Sequence, residues 1–547
     1  MLLSKLKRLI PSSGCAIAVS IRLRRLFAIL MMLTILSWGL IPQITIAQPH
    51  TASPLQQLLP RSKSQTAPAP TSIQPYLDRA IKEVTEFRLD NGLKFIVLER
   101  HQAPVVSFVT YADVGAVDEP DGKTGMAHVL EHMAFKGTTR IGTKDYQAEK
   151  PLLDRLEQLD AQIKAAEADS QENEVARLQA EFEQVKLQAG QLVKQNEFVQ
   201  IARQAGATDL NAATTTDATR YFYSLPANKL ELWMSLESER FLEPEFRREF
   251  YKEKDAVLEE RLQYQNSPTD VMQEKFFDTA FKVHPYRRPI DGYEEDIRNL
   301  TPKDIQKFFE THYIPSNLTI AIVGDVNPTE VKKLAQIYFG RYQSKPQPIS
   351  QIPPEPPQTK MREVTLQLPS QPFYFEGYHR PAVTHPDDVV YNIIGYLLWV
   401  GPTSRLYKSL VEQQQLALGV SGGTSVPGNK YPNLIVFSAP TASGHTVDEL
   451  ATALQKEIDK LKTEPVSATE LQRVKTQIKA GLLNNLNSNM GMAGLLSEYE
   501  VKTGSWQNLF KYLDEIAVVT PADIQRVAKA TFTPENRTIG KLLSQEE

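Results

Sequence analysis

Residues 301–320 have the sequence TPKDIQKFFETHYIPSNLTI, and residues 520–539 repeat it as TPADIQRVAKATFTPENRTI. Nine of the twenty aligned positions are identical. Each copy starts with Thr-Pro-x-Asp, which is typical of a capped helix start, and continues through a Pro-x-Asn turn into a strand. A shared helix cap cannot explain the matches in the turn and the strand. The repeat therefore predicts two related halves, each with helices and strands.

A proline-rich segment lies between the two copies. Six prolines fall between residues 344 and 358, a composition that favours an extended linker. We therefore predict a first half at residues 76–343, a linker at 344–360 and a second half at 361–547. Near the start of the first half, Asp90-Asn91-Gly92 separates two apolar runs and predicts a β-hairpin turn.

Residues 150–200 differ from the rest of the first half. Apolar residues recur there with steps of three and four, on both sides of a polar break at residues 169–173. This spacing predicts an inserted antiparallel hairpin of two helices. Two interpretations of the insertion remain open: a rigid surface arm, or an arm that docks a partner or acts as a lid.

The N-terminal 47 residues have the features of an export signal. Six basic residues and no acidic ones occur there, an apolar run of 16 residues spans Leu26–Ile41, and Thr45-Ile46-Ala47 resembles a cleavage site. We predict a signal peptide at 1–47, a flexible Gln/Pro/Ser/Thr-rich linker at 48–75, and a periplasmic or equivalent lumenal or extracellular location. The alternative is an uncleaved anchor, although the run is shorter than the ~20 residues that a span needs. After cleavage we expect no stable membrane span.

Composition narrows the class of protein. Hydrophobic residues make up 41% and charged residues 23%, as in soluble globular proteins. The formal charge of −4 becomes −10 without the six basic residues of the N-terminal segment. This acidic balance argues against nucleic-acid binding. Since Cys15 is the only cysteine and lies in the predicted signal, we expect no disulfide and no cysteine metal site in the mature chain.

The segment His128-Val129-Leu130-Glu131-His132 carries the chemistry. On a helix, positions i and i+4 share a face, so both imidazoles can reach one ion with Glu131 beside them. The chain has 9 histidines in 547 residues, so chance yields only about 0.02 matches to this spacing. The pattern predicts a catalytic Zn²⁺ held by His128 and His132, with Glu131 as the general base that activates water.

A third protein ligand is needed, and a carboxylate on another helix is the best source. The stretch 250–263 is predicted to be helical and contains Glu253, Glu259 and Glu260. Glu253 and Glu260 are seven residues apart and therefore face the same way. The pattern alone does not choose among the three acids.

Several segments resemble the pitrilysin and mitochondrial-processing-peptidase family. Residues 128–138 (HVLEHMAFKGT) look like its inverted zinc motif, and residues 253–260 (EKDAVLEE) are similar to its second metal segment. The resemblance implies that Glu260 is the third zinc ligand, that Glu253 is a supporting acid beside the ligands, and that Glu259 points away. Residues 211–216 (NAATTT) resemble the family's substrate-facing edge strand, which implies peptide binding by Asn211, Ala212, Ala213 and Thr214.

The resemblance covers about residues 80–543 and implies an α+β fold. Each of the two related halves would contain an antiparallel sheet with flanking helices, with the helical hairpin inserted in the first half. Only the first half would be catalytic, and the expected activity is zinc-dependent hydrolysis of peptides or unfolded segments. The chain most resembles the zinc-bearing subunit of bacterial two-chain members.

One departure from the family pattern concerns its partner. Active single-chain members, and the non-zinc subunits of two-chain members, carry an Arg and a Tyr seven residues apart in a C-terminal half. Here Val411 and Leu418 stand at those positions, and neither can donate a side-chain hydrogen bond. We therefore expect a heterodimer with a related non-zinc subunit that supplies Arg and Tyr. The alternative assembly is a homodimer that works with the metal and the edge strand only. The alternative function is a non-catalytic scaffold or assembly subunit of the same fold.

Overall fold

The computed structural model describes residues 81–347 and 351–545. The predicted signal peptide and the flexible linker at 48–75 lie outside these residues. Within the described ranges, no helix combines the length and the apolar character that a membrane crossing requires.

The first half is built on a mixed six-stranded sheet with the order β1-β2-β6-β3-β5-β4. Its strands are β1 (Val84–Arg88), β2 (Lys94–Glu99), β3 (Val105–Ala112), β4 (Thr208–Thr214), β5 (Thr219–Pro226) and β6 (Leu318–Gly324). The predicted turn at Asp90-Asn91-Gly92 joins β1 to β2, with Gly92 at φ +98°. Strands β2 and β6 are parallel, and the other neighbours are antiparallel.

The second half is built on a five-stranded sheet with the order β7-β11-β8-β10-β9. Its strands are β7 (Arg362–Leu368), β8 (Phe373–Arg380), β9 (Ser421–Val426), β10 (Asn433–Pro440) and β11 (Arg537–Ser544). Strands β7 and β11 are parallel, and the other pairs are antiparallel. Order and direction thus match the first sheet from β2 to β4, which confirms the predicted duplication.

Helices cover both sheets. Their bounds are α1 (Met126–Met133), α2 (Tyr146–Ala168), α3 (Glu172–Leu192), α4 (Glu197–Gln204), α5 (Leu230–Leu242), α6 (Phe250–Gln265), α7 (Pro268–Ala280), α8 (Glu294–Asn299), α9 (Pro302–His312), α10 (Pro328–Phe339), α11 (Asp388–Leu398), α12 (Val447–Thr463), α13 (Ala468–Asn487), α14 (Asn489–Thr503), α15 (Asn508–Val518) and α16 (Pro521–Thr531). Helices α2 and α3 pack against each other as the predicted helical hairpin.

The repeated segments occupy equivalent places in the two halves. Helices α9 and α16 each begin with a reciprocal Thr–Asp capping box. After each helix, an asparagine amide closes the turn into the last strand. Asn317 donates to the carbonyls of His312 at 2.9 Å and Asp113 at 3.1 Å, and Asn536 donates to those of Thr531 and His379, both at 2.9 Å. The repeat therefore encodes one structural unit used twice.

Each sheet is covered in part by a helix from the other half. Helix α14 packs on β3 and β6 of the first sheet, where Met492 and Leu496 contact a cluster that includes Val109 and Val323. Helix α7 packs on β7, β8 and β11 of the second sheet through Met272 and other apolar side chains. Because each half completes the other's core, the two sheets are held in a fixed relation.

The proline-rich segment is also attached to the first half. Residues 351–359 have no regular secondary structure, yet Glu355 accepts hydrogen bonds from the backbone N–H groups of Lys282, Val283 and His284 at 2.8, 3.0 and 3.1 Å. These contacts fix the linker at one point along its length.

Candidate metal centre

Helix α1 separates its polar and apolar residues onto opposite faces. His128, Glu131 and His132 are partly exposed, as the i, i+3 and i+4 spacing requires for one shared face. The residues on the other face are buried in the core of the first half: Met126, Ala127, Val129, Leu130 and Met133. Burial of this apolar face fixes the direction in which the two imidazoles and the carboxylate project.

The start of helix α1 is held by a buried carboxylate. Gly125 precedes the helix at φ +88° and offers no side-chain cap. Instead, Glu119 accepts hydrogen bonds from the backbone N–H groups of Gly125 at 2.9 Å and Ala127 at 2.7 Å. Burial raises the pKa of Glu119 to about 8, against the opposing effect of these two donors. The contact fixes the N-terminus of the helix that carries both histidines.

Helix α6 supplies the acids that face helix α1. Glu253 is buried and Glu260 is half-buried, whereas Glu259 is exposed to solvent. The two facing acids are seven residues, or about two turns, apart, so that they lie one above the other along the helix. The structure thus brings Glu253 and Glu260 to the histidines and leaves Glu259 on the outside.

Three side chains converge on a point that could hold a metal ion. Ligand atoms of His128, His132 and Glu260 all lie within 4.8 Å of one another. Oε2 of Glu260 lies 3.6 Å from Nε2 of His128 and 4.0 Å from Nε2 of His132. In tetrahedral zinc sites the ligand atoms are about 3.4 Å apart, given metal–ligand distances near 2.1 Å. Two imidazole nitrogens and one carboxylate oxygen at this spacing fit a zinc ion, and three protein ligands leave one position of a tetrahedral shell open for water.

His132 is oriented by a carboxylate on its far side. Oε2 of Glu253 lies 3.4 Å from Nδ1 of His132, which leaves Nε2 free to face Glu260. Oε1 of Glu253 lies 2.6 Å from Nζ of Lys136. Burial alone would raise the pKa of Glu253, but the hydrogen bonds from His132 and Lys136 outweigh it and lower the pKa. A carboxylate behind a ligating histidine fixes the ring's tautomer and orientation.

The electrostatic surroundings keep one imidazole neutral. Burial, assisted by the charge of His132, lowers the pKa of His128 to about 3. Since a metal binds the neutral imidazole, His128 needs no proton removed at neutral pH. Burial also raises the pKa of Glu260, with smaller contributions from Asp291 and Glu253 and an opposing one from His132. A cation beside Glu260 would favour its ionised form.

Glu131 is hydrogen-bonded to the edge of the first sheet. Oγ1 of Thr214, the last residue of β4, donates to Oε2 of Glu131 at 2.7 Å. Burial raises the pKa of Glu131, although the Thr214 hydroxyl and His132 oppose the shift. A carboxylate with a raised pKa is a better proton acceptor near neutral pH than an ordinary glutamate.

Strand β4 lies at the end of the sheet and pairs on one side with β5. Among the described residues, its other edge has no strand partner. Along β4, Asn211 is exposed, Ala212 is buried, and Ala213 and Thr214 are half-buried. The ladder with β5 is irregular between Thr208 and Asn211, near Asp209 at φ +57°. The strand thus presents an open backbone edge within reach of the face of α1.

Val411 and Leu418 lie at the surface of the second half. Val411 is half-buried in a π-helical segment, Tyr407–Gln413, and Leu418 is 62% exposed. Neither offers a polar group, so the second half of this chain provides no Arg or Tyr at these two positions.

Three residues at the site have roles that the sequence pattern does not reveal. Lys136 follows His132 by four residues, a spacing that places it one turn further along, but its partner on α6 depends on how the two helices pack. Glu119 acts across a turn that follows no capping rule, because the acceptor precedes the helix start by several residues. The Thr214 hydroxyl also joins the site through sheet and helix packing.

Comparison with known proteins agrees with this architecture. Residues 94–175 and 182–293 match the family model described as insulinase, peptidase family M16. Residues 299–478 match the model described as the peptidase M16 inactive domain. The candidate ligands His128, His132 and Glu260 lie in the first model, and Val411 and Leu418 lie in the second.

Two similar proteins span nearly the same length as this chain, and a third is longer. Zinc protease PqqE of Helicobacter pylori is 28% identical over 461 residues, which cover 82% of this chain and 90% of that protein. The crystal structure of a protease from Helicobacter pylori superposes with a TM-score of 0.71 at 26% identity, covering 84% and 99% of the two chains. The periplasmic protease PqqL from Escherichia coli shares the fold, with a TM-score of 0.63 at 16% identity, and this chain covers 48% of its length.

The two family models together extend from residue 94 to residue 478. Helices α1 and α6 lie in the first model, and the second model begins just before α9 of the first half and continues into the second half. The resemblance drawn from the His-x-x-Glu-His motif is thereby confirmed, and the chain belongs to peptidase family M16.

Proposed function

We propose that this chain is a zinc-dependent endopeptidase subunit that hydrolyses peptides or unfolded segments. One observation carries the proposal: His128, His132 and Glu260 bring three ligand atoms within 4.8 Å of one another, with Glu131 on the same helix face. Relatives named as zinc proteases support the metal and the reaction class. A scaffold would have no chemical use for Glu131 at that position.

In this mechanism His128, His132 and Glu260 hold the ion. When bound, zinc lowers the pKa of a water molecule and polarises the scissile carbonyl. Glu131 accepts the proton of the attacking water and then donates it to the leaving amine. The Thr214 hydroxyl donates to Oε2 of Glu131 and so holds the carboxylate in place. Glu253 keeps the His132 ring in one orientation, so that the ligand need not reorganise during the reaction.

The substrate would bind as an added strand beside β4. An extended peptide could pair with the open edge at Asn211, Ala212, Ala213 and Thr214, with affinity from backbone hydrogen bonds. Because Thr214 also contacts Glu131, a peptide in this register would pass next to the general base. Backbone recognition favours extended or unfolded segments over folded proteins.

A second chain would complete the site. Val411 and Leu418 cannot hold or polarise a peptide carbonyl, so we propose a related non-zinc subunit that contributes Arg and Tyr. PqqL supports this arrangement, because this chain covers 48% of its length and 92% of a structure described as the first half of PqqL. The export pattern at residues 1–47, together with the periplasmic location in the name of PqqL, supports a periplasmic or equivalent location.

The competing function is a non-catalytic assembly subunit. The apolar residues at 411 and 418, and the match of the second half to a domain described as inactive, favour it. The difference between the two functions lies in the zinc site of the first half.

The deciding experiment measures peptide hydrolysis by the purified chain with its co-purifying partner, with and without added zinc. We expect turnover that a chelator abolishes and zinc restores. Glu131→Gln should retain zinc and lose turnover, since Gln keeps the shape but cannot accept the proton. Zinc-independent turnover, or equal turnover by Glu131→Gln, would contradict the proposal. Absence of bound zinc from the native complex would favour the assembly function.

A further inference from the structure

Arg248 is a fully buried cation between the helical hairpin and the metal site. It lies two residues before α6. Its Nε and Nη2 donate to Oε1 and Oε2 of Glu149, both at 2.8 Å. Both side chains are 0% exposed. Glu149 belongs to the first turn of α2, so this bidentate pair attaches the base of the hairpin to the segment that leads into α6.

The third nitrogen of Arg248 holds the loop that follows helix α1. Its Nη1 donates to the backbone carbonyls of Thr138 at 2.8 Å, Ile141 at 3.0 Å and Lys136 at 3.3 Å. The loop is too tight for a side chain at Gly137, where φ is +97° and a Cβ atom would lie 2.1 Å from the Ile141 carbonyl oxygen. Arg248 therefore fixes the path of the backbone directly after the metal motif.

This loop connects Arg248 to the metal ligands through Lys136. The Lys136 carbonyl is held by Arg248, and its Nζ lies 2.6 Å from Oε1 of Glu253. Oε2 of Glu253 in turn lies 3.4 Å from Nδ1 of His132. A displacement of the loop would move Lys136, release one side of Glu253 and loosen the orientation of His132.

Attachment of the hairpin does not by itself require Arg248. The neighbouring Arg247 also contacts α2, at Asp154 (2.5 Å) and at the hydroxyl of Tyr146 (3.2 Å). Among the described residues, no carbonyl of the loop after α1 is a hydrogen-bond partner of Arg247. A buried ion pair is also a costly attachment, because its desolvation offsets much of the attraction and apolar residues often serve as well. Arg248 differs from Arg247 in that it hydrogen-bonds to Glu149 and to the carbonyls of the loop at the same time.

We propose that Arg248 is a positioning residue for the metal site. It keeps Lys136, Glu253 and His132 in register, and the helical hairpin supports it through Glu149. The base of the helical hairpin thus helps to orient the metal ligands. Any role of its distal end is separate from this one. The inference rests on the proposed function in one respect, namely that the ion held by His128, His132 and Glu260 is zinc.

The test replaces the buried pair by apolar residues in the full chain. The double variant Glu149→Leu/Arg248→Met leaves no unpaired buried charge, so the metal-free protein should fold, with an unfolding midpoint lowered only by the loss of the donor to three loop carbonyls. It removes the donor to the loop carbonyls, so we expect the zinc Kd to rise about tenfold or more, the size of effect that supporting partners have at metal sites. Zinc Kd is measured by competition with a chromophoric chelator. The visible spectrum of the cobalt-substituted protein should change as well, since it reports the ligand geometry.

The matched control is a buried pair of the same chemistry in the second half. Arg380 pairs with Asp388 at 2.5 Å and also donates to the carbonyl of Thr424 at 2.6 Å. The variant Arg380→Met/Asp388→Leu should keep the wild-type zinc Kd and cobalt spectrum. If removal of any buried pair weakened zinc equally, the effect of Arg248 would be general destabilisation and the inference would be wrong.

If the double variant does not fold, the single variant Arg248→Lys tests the same inference. Arg248→Lys keeps the charge opposite Glu149, but one ammonium cannot serve a bidentate carboxylate and three carbonyls together. It should also weaken zinc and alter the cobalt spectrum. A wild-type zinc Kd and spectrum in the folded variant would overturn the inference while leaving the proposed function intact. If the wild-type chain itself bound no zinc, the proposed function would fail and this inference with it.

Discussion

Thr214 donates its hydroxyl hydrogen to the Glu131 carboxylate over 2.7 Å, and this contact joins the open edge of the first sheet to the metal-site helix. The two residues are 83 positions apart in the chain. Thr214 ends β4, the strand that we propose binds the peptide, and Glu131 is the proposed base. In the proposed mechanism, this hydrogen bond would couple the position of the peptide on β4 to the orientation of Glu131.

Replacing Thr214 tests this coupling. Thr214→Val removes the hydroxyl and keeps the branched shape, so the Glu131 carboxylate loses one fixed oxygen. A hydrogen bond to a charged group contributes about 1.5–3 kcal/mol, so we expect kcat to fall by about tenfold or more. Zinc content should not change, because Thr214 is not among the proposed ligands. Thr214→Ser retains the hydroxyl and serves as the control, and a wild-type kcat for Thr214→Val would show that the hydrogen bond does not orient the base.

The third ligand can be identified by two adjacent substitutions. Glu260→Gln should sharply weaken zinc binding, because a neutral amide oxygen is a poorer ligand than the carboxylate. Glu259→Gln should bind zinc as the wild type does, since Glu259 is exposed. Both variants carry the same change of charge on the same helix, so a general electrostatic effect would appear in both. Zinc titration of the two purified variants gives the comparison, and a stronger loss in Glu259→Gln would reassign the ligand.

The contact between the halves near the site depends on a buried carboxylate. Asp217, in the turn between β4 and β5, accepts hydrogen bonds from Tyr286 Oη at 2.6 Å and from the backbone N–H groups of Asn429 and Lys430 at 2.7 and 3.0 Å. Asp217→Ala leaves three donors without this acceptor. We expect the free energy of unfolding to fall by about 2 kcal/mol or more.

Chemical denaturation of Asp217→Ala and of the isosteric Asp217→Asn measures this effect. The asparagine variant should lose less, because its carbonyl oxygen can still accept a hydrogen bond. Unchanged stability of the alanine variant would mean that water replaces the carboxylate at no cost, contrary to its 2% exposure.

Local features of the fold could be predicted because their cause is local. The shared face of His128, Glu131 and His132 follows from helical spacing, and the burial of the intervening Val129 and Leu130 agrees with it. The duplication could be recognised in the sequence because a helix cap, a turn and the start of a strand each require particular residues. The Asn317 and Asn536 amides close the same turn in both halves.

Other features of the fold depend on which helix packs on which sheet, and the periodic pattern of apolar residues does not specify this pairing. Helices α7 and α14 have apolar faces that indicate burial, but the sequence does not state that each covers the sheet of the other half. The same holds for Lys136. A lysine is expected to point into solvent, but the Nζ of Lys136 lies 2.6 Å from a carboxylate oxygen of Glu253. Arg248 and Glu149 are a stronger case, since full burial of both is the exception for charged residues.

The proposed partner follows from chemistry that the second half lacks. Leu418 is 62% exposed, whereas Val411 is half-buried and packs against the core of the second half; neither position carries a polar side chain. A peptide must be held in register while the carbonyl is attacked. In the proposed mechanism, the zinc site and the edge of β4 would supply part of this hold, and donors from another chain would supply the rest.

We expect the isolated chain to bind zinc but to turn over peptides slowly, and a co-purified related subunit to raise kcat by about tenfold or more, the contribution typical of one or two positioned donors. The measurement compares kcat and KM of the isolated chain, the complex, and the complex whose partner carries Ala and Phe in place of its Arg and Tyr. The substituted complex should retain its zinc and its assembly and lose most of the gain, which separates donation of hydrogen bonds from mere stabilisation of the fold. Full activity of the isolated chain, with no second protein present, would show instead that the metal and the β4 edge suffice.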